Sequence, residues 1–210
     1  MKTVLCYGDS NTWGYNAATE ARHPYEQRWT TLLAKELGPE FLVIPEGLNG
    51  RTTVMPDPFE GEYKSGKDML PGILESHHPL DLVVLMLGTN DLKHRWGHSP
   101  WDIARGIETL IKVIQTSGFG PDEGAPKILV VAPAVTCVAN TRFEEMLAGS
   151  DEKSTQLARF YQPVAELYGC AFLDAGQHIV SDPLDGIHLA AEELPKLASA
   201  IATAIREIEL

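Results

Sequence analysis

A serine hydroxyl is a weak nucleophile that reacts usefully only beside a base, and this chain carries the parts of such a pair in separate places. Ser10 stands in Gly8-Asp9-Ser10-Asn11-Thr12-Trp13-Gly14, directly after a short apolar run. Far downstream, Asp185-Gly186-Ile187-His188 holds a carboxylate and an imidazole at a spacing that one tight turn can present together. Histidine suits the base because its pKa lies near working pH. A carboxylate on its other ring nitrogen fixes the tautomer. Attack on a carbonyl builds negative charge, which preorganised N–H groups must face. Three donors are available: the Ser10 backbone N–H, the Gly50 backbone N–H with no side chain in the way, and the Asn90 side-chain amide. Gly47 precedes the same turn as Gly50 and competes for that role. Each signal alone is common. Their joint occurrence, in order, each after a strand or before a helix, is what makes the set specific.

The elements that must position these residues follow from periodicity. Short apolar runs at 4–7, 41–44, 82–87, 128–131 and 171–173 read as strands. The run at 82–87 is apolar on both faces, as a central parallel strand requires. Helical segments lie between them. The segment 29–37 stops at Gly38, a good helix terminator. Ser99 can cap a helix with Pro100 at its first position, and Ile103, Ile107, Leu110, Ile111 and Ile114 follow at helical spacing. One further helix is expected over 150–168 with a kink at Pro163. The last starts near Pro195 and carries Leu194, Leu197, Ala198, Ile201, Ile205 and Ile208 on one face. Strands alternating with helices predict an α/β fold, a flavodoxin-like three-layer α/β/α arrangement on a five-stranded parallel sheet. The 210 residues suit one domain, 1–210, better than two. Such sheets gather their sites at the carboxyl ends of the strands, where Ser10, Gly50 and Asn90 fall. Two long irregular segments, 46–67 and 133–149, are read as functional loops of undetermined role.

Composition narrows the partners. Seventeen Lys and Arg against 29 Asp and Glu give a net charge of −12, which argues against nucleic acid and anionic membrane, since both need a basic face. No apolar run is long enough to span a bilayer, and no signal peptide is visible. The three cysteines, Cys6, Cys137 and Cys170, suggest neither a disulfide framework nor a metal site. A cytoplasmic location is expected from these features. His94 and His98 have the spacing of a helical metal pair, but Gly97 and Pro100 disfavour a helix there, so no metal site is expected. His77-His78 reads as a helix end, while His23 and His178 carry no local signal. Asp9 reads as a carboxylate that holds its turn, and Asp91 as a support for Asn90. Trp13, Lys93 and Ile187 adjoin the reactive positions and are candidates to line a substrate pocket, Trp13 being equally readable as core.

The four blocks resemble those of the SGNH/GDSL hydrolases across nearly the whole chain. The resemblance assigns Ser10 as nucleophile, Asp185 and His188 as acid and base, and Ser10, Gly50 and Asn90 as oxyanion donors. Gly50 is preferred to Gly47 because the family places that glycine before a polar pair, here Arg51-Thr52. Arg28-Trp29-Thr30, Glu46-Gly47-Leu48 with Arg51-Thr52-Thr53, and 78–83 leading into Gly88-Thr89-Asn90-Asp91 are similar to the bacterial arylesterase/acyltransferase branch. That likeness implies a small-molecule ester substrate, with water, an alcohol or peroxide as acyl acceptor. It also implies a homo-oligomer and no cofactor. A carbohydrate O-acetyl esterase is the alternative within the family, ahead of a thioesterase or lysophospholipase. A flavodoxin-like binding module is the alternative of a different class. Against that module, no G-x-G-x-x-G or phosphate-loop motif is present, and the Asp185/His188 pair would have no task.

Overall fold

The computed structural model describes residues 1–210. β1 (Lys2–Gly8) leads into a short helix α1 (Ser10–Trp13), then a small antiparallel pair, β2 (Tyr15–Asn16) with β3 (Ala21–Arg22). α2 (Trp29–Leu37) ends at Gly38, whose N–H donates to the Ala34 carbonyl at φ 88°. β4 (Phe41–Gly47), α3 (Gly66–His77), β5 (Leu82–Met86), α4 (Pro100–Gln115) and β6 (Lys127–Ala132) follow. The chain closes with α5 (Ser150–Ser154), α6 (Leu157–Leu167), β7 (Ala171–Asp174) and α7 (Leu194–Arg206).

The five long strands form one parallel sheet in the order β4-β1-β5-β6-β7, the α/β architecture expected. Period-two alternation divides its side chains between two cores. Leu5, Tyr7, Val83, Leu85 and Val130 face the layer of α3, α4 and α6. Val4, Cys6, Leu82, Val84 and Leu129 face α2 and α7. Strands buried on both sides must be apolar on both sides, which is why the 82–87 run carries no polar residue.

The helices obey the same economy. α4 buries Ile103, Ile107, Leu110, Ile111 and Ile114, and full burial of each such side chain contributes about 1.5–3 kcal/mol. Its start is a capping box: Asp102 N–H donates to Ser99 Oγ at 3.2 Å, and Ser99 N–H donates to Asp102 Oδ2 at 2.8 Å. The single helix expected over 150–168 is instead two. Ser154 Oγ donates to the Asp151 carbonyl at 3.1 Å and Thr155 Oγ1 to the Glu152 carbonyl at 2.7 Å. These hydroxyls compete with the main chain for the carbonyls at the end of α5. The break therefore falls at 155–156, and Pro163 lies within α6. No helix is long and apolar enough to cross a membrane.

Candidate active site

β1 is an interior strand, between β4 and β5, and at its end the chain must turn sharply to start α1. Asp9 makes that turn by capping the helix: its Oδ1 accepts the Asn11 N–H at 3.0 Å. The turn is also tied from outside. Trp29 Nε1–H donates to the Asn11 carbonyl at 3.1 Å, and Asn11 Nδ2–H donates to the Ile187 carbonyl at 3.2 Å. The second bond brings the Asp185–His188 segment to the first residue of α1, which is Ser10.

The segment itself is held by Asp185. Its Oδ1 accepts the backbone N–H groups of Ile187 and His188, each at 3.0 Å. Gly186 sits at φ 76°, and a Cβ there would lie 2.4 Å from the Cys137 carbonyl oxygen, so only glycine fits. His188 Nδ1–H donates to Asp185 Oδ2 at 2.6 Å, which leaves Nε2 to accept the Ser10 Oγ–H at 2.9 Å. Burial works against charge on Asp185, but the His188 ring N–H and the two backbone amides hold its carboxyl below the usual carboxylate range. A buried, ionised Asp185 therefore orients the ring whose far nitrogen faces Ser10.

The donor segments converge on the same place. Gly50 lies at φ 77° on the wall of a cleft of about 230 Å³ that also contains Ser10, Asn90 and His188. Gly47 has a different reason to be glycine: a Cβ there would come within 2.1 Å of the Trp13 backbone nitrogen. It ends β4 against α1 and is not among the cleft residues. Asn90 Nδ2 spends one N–H on the Arg51 carbonyl at 3.1 Å and retains a second. Asp91 ties the Asn90 turn to the Gly50 loop, since its carboxylate accepts the Thr53 N–H at 2.9 Å and the Thr53 hydroxyl at 2.5 Å.

Lys93 and Ile187 both line the cleft, whereas Trp13 does not. The Trp13 ring lies beside Tyr15 and under the Arg22 guanidinium. Lys93 is only 1% exposed and is paired with Asp57 at 3.0 Å and Glu60 at 2.5 Å. His94 belongs to a 3-10 turn closed by Gly97 at φ 63°, so no α-helical face joins it to His98. Five further cleft residues were not anticipated: Tyr15, Asn49, Glu60, Phe143 and Met146. Tyr15 stacks on the His188 ring with centroids 4.2 Å apart, and Phe143 meets that ring edge-on at 6.3 Å. For four of them the signal was indirect, since Asn49 and Glu60 belong to one of the two long loops and Phe143 and Met146 to the other.

Two buried acids, Asp9 and Asp91, flank the site. Burial pushes Asp9 up to about 6 and Asp91 up to about 7. A carboxyl raised in the folded state stabilises the fold at low pH and loses that contribution as pH rises through its folded pKa. For Asp91 the loss falls between the ordinary carboxylate value and about 7. Denaturant unfolding of the native protein is therefore expected to show lower stability at pH 8 than at pH 5 from this source, and Asp91→Asn to flatten the decline. Equal declines in the two proteins would show that Asp91 does not titrate in this window.

The native structure of an M. smegmatis aryl esterase matches the full length of both chains at 39% identity, with a TM-score of 0.93. A carbohydrate acetylesterase family member from Sinorhizobium meliloti matches at 42% identity over 98% of each chain, also with a TM-score of 0.93. An acetylxylan esterase of Xylanibacter ruminicola is 27% identical over 97% of this chain, which spans only 43% of that protein's length. The sequence model of the GDSL-like lipase/acylhydrolase family matches residues 6–192, a stretch that runs from within β1 past His188. On that match the chain belongs to the GDSL-like lipase/acylhydrolase family.

Proposed function

We propose that the protein is a carboxylic ester hydrolase that forms an acyl intermediate on Ser10. The observation that carries this reading is the continuous relay from Asp185 Oδ2 through His188 to Ser10 Oγ, at 2.6 and 2.9 Å. Ser10 Oγ bonds to the ester carbonyl carbon while its proton passes to His188 Nε2. The carbonyl oxygen becomes an anion and takes hydrogen bonds from the Ser10 and Gly50 N–H groups and the free N–H of Asn90. As the C–O bond to the alcohol breaks, His188 returns the proton to the departing oxygen. Water then enters, its oxygen bonding to the acyl carbon as it gives a proton to His188, and the Ser10 Oγ–acyl bond breaks as Oγ takes that proton back, releasing the acid. An alcohol or peroxide entering in place of water would yield a new ester or a peracid.

The cleft supports a short acyl group. Its volume, about 230 Å³, is below the range of sites that hold drug-sized ligands, and Phe143, Met146 and Ile187 supply its apolar lining. A sugar acetate is the second reading. It is favoured by the polar residues Asn49, Glu60 and Lys93 in the same cleft, and by the S. meliloti relative described as a carbohydrate acetylesterase.

Rates on an aryl acetate, an acetylated sugar and an acyl thioester, each with and without added alcohol, test these readings. Turnover of the aryl acetate, falling as the acyl chain lengthens, is expected. Faster turnover of the acetylated sugar would select the second reading. Failure to cleave any of the three would end the ester-hydrolase proposal.

A further inference from the structure

Arg51 is a buried charge without a carboxylate partner. It is 3% exposed, and the acids that favour its charge, Glu46 and Asp9, act on it without forming an ion pair. Its guanidinium instead lies 4.1 Å over the Tyr7 ring, and Nη1 donates to the Gly8 carbonyl at 2.8 Å and the Glu46 carbonyl at 2.5 Å. Nε is buried with no partner at all. Removing a cation from water costs several kcal/mol after relaxation, and two carbonyls, an aromatic face and the nearby Glu46 and Asp9 carboxylates offset that only in part. A methionine would fill similar space with no such cost. The expense falls at one location, where the ends of β1 and β4 meet the Asn90 turn.

The main chain of the same residue explains the location. The Arg51 carbonyl accepts one N–H of the Asn90 amide at 3.1 Å. A planar amide with one N–H fixed has its second N–H fixed as well. The guanidinium clamps the loop that carries this carbonyl to Gly8, the residue two before Ser10. The direction of Asn90's free N–H is thereby referenced to the strand end that delivers the nucleophile.

We infer that Arg51 is a positioning residue that aims the Asn90 amide at the oxyanion. It touches no substrate and acts through Asn90. The inference rests on the ester-hydrolase reading above. A lysine in its place keeps the charge but not the forked donor geometry, and methionine keeps only the stem.

The test is a double-mutant cycle on a short aryl ester with melting temperature measured for every variant. Asn90→Ala is expected to lower kcat by about 10²-fold, the usual effect of removing one oxyanion donor. Arg51→Met should lower kcat by a similar factor with KM little changed, and Arg51→Lys should recover part of the loss. The double variant should fall within about threefold of Asn90→Ala alone, because residues acting through one group are not additive. Multiplicative losses, an unchanged kcat in Arg51→Met, or failure of both Arg51 variants to fold would each overturn the positioning role while leaving the esterase reading in place. An unchanged kcat in Asn90→Ala would instead remove Asn90 from the oxyanion site, and the Arg51 role with it.

Discussion

Replacing Ser10 by alanine is expected to lower turnover of a short aryl ester by about 10⁴-fold or more, because no other hydroxyl can take its place. The hydroxyl is 2.9 Å from the only ring nitrogen of His188 not bound to Asp185. Ser10 is also 6% exposed among the residues of the cleft. The variant should keep its fold, since the Ser10 side chain bonds only to His188. Residual hydrolysis should come from the oxyanion donors acting on water. Loss of stoichiometric labelling by an active-site phosphonate should accompany the loss of turnover. A variant that retains activity, or that still takes up the label, would assign the nucleophile elsewhere.

The second large effect is expected for Asp185→Asn, about 10⁴-fold in kcat when the wrong imidazole tautomer is imposed. Asp185 accepts three N–H groups: two from the backbone on Oδ1, and one from the His188 ring on Oδ2. An asparagine can keep its oxygen towards the backbone pair, and the turn should survive. Its NH₂ then faces His188 Nδ1, which must become an acceptor, so that Nε2 carries the proton and cannot receive one from Ser10. Near-native circular dichroism with the expected loss in kcat would separate this mechanism from unfolding. A loss of less than about tenfold would reduce Asp185 to a structural member of the turn.

The sheet was legible because strands buried on both faces leave an unmistakable apolar run, as at 82–87, and each run ends in polar residues. Ser10, Gly50 and Asn90 could be read for the same reason: they follow strands whose carboxyl ends share one edge. Three features escaped for three different physical reasons. The break between α5 and α6 depends on which hydroxyls turn back onto carbonyls, a choice the apolar period does not record. Tyr15 reaches His188 from a two-stranded hairpin too short to show alternation. Phe143, Met146 and Glu60 sit in irregular segments, where no period links sequence spacing to direction. Trp13 shows the converse. Its nearness to Ser10 in sequence suggested the pocket, but α1 directs its ring towards Arg22.

The hydrogen bond between Ser10 and His188 joins residues 178 apart in the chain. Closing so long a loop carries an entropic cost that must be met before the contact rewards it. The bond requires β1 in place between β4 and β5 and the segment before α7 docked through Asn11. Hydrolytic activity in this protein is therefore a gauge of complete chain closure. A refolding molecule with its secondary structure in place but its last segment undocked would be spectroscopically near native and catalytically silent.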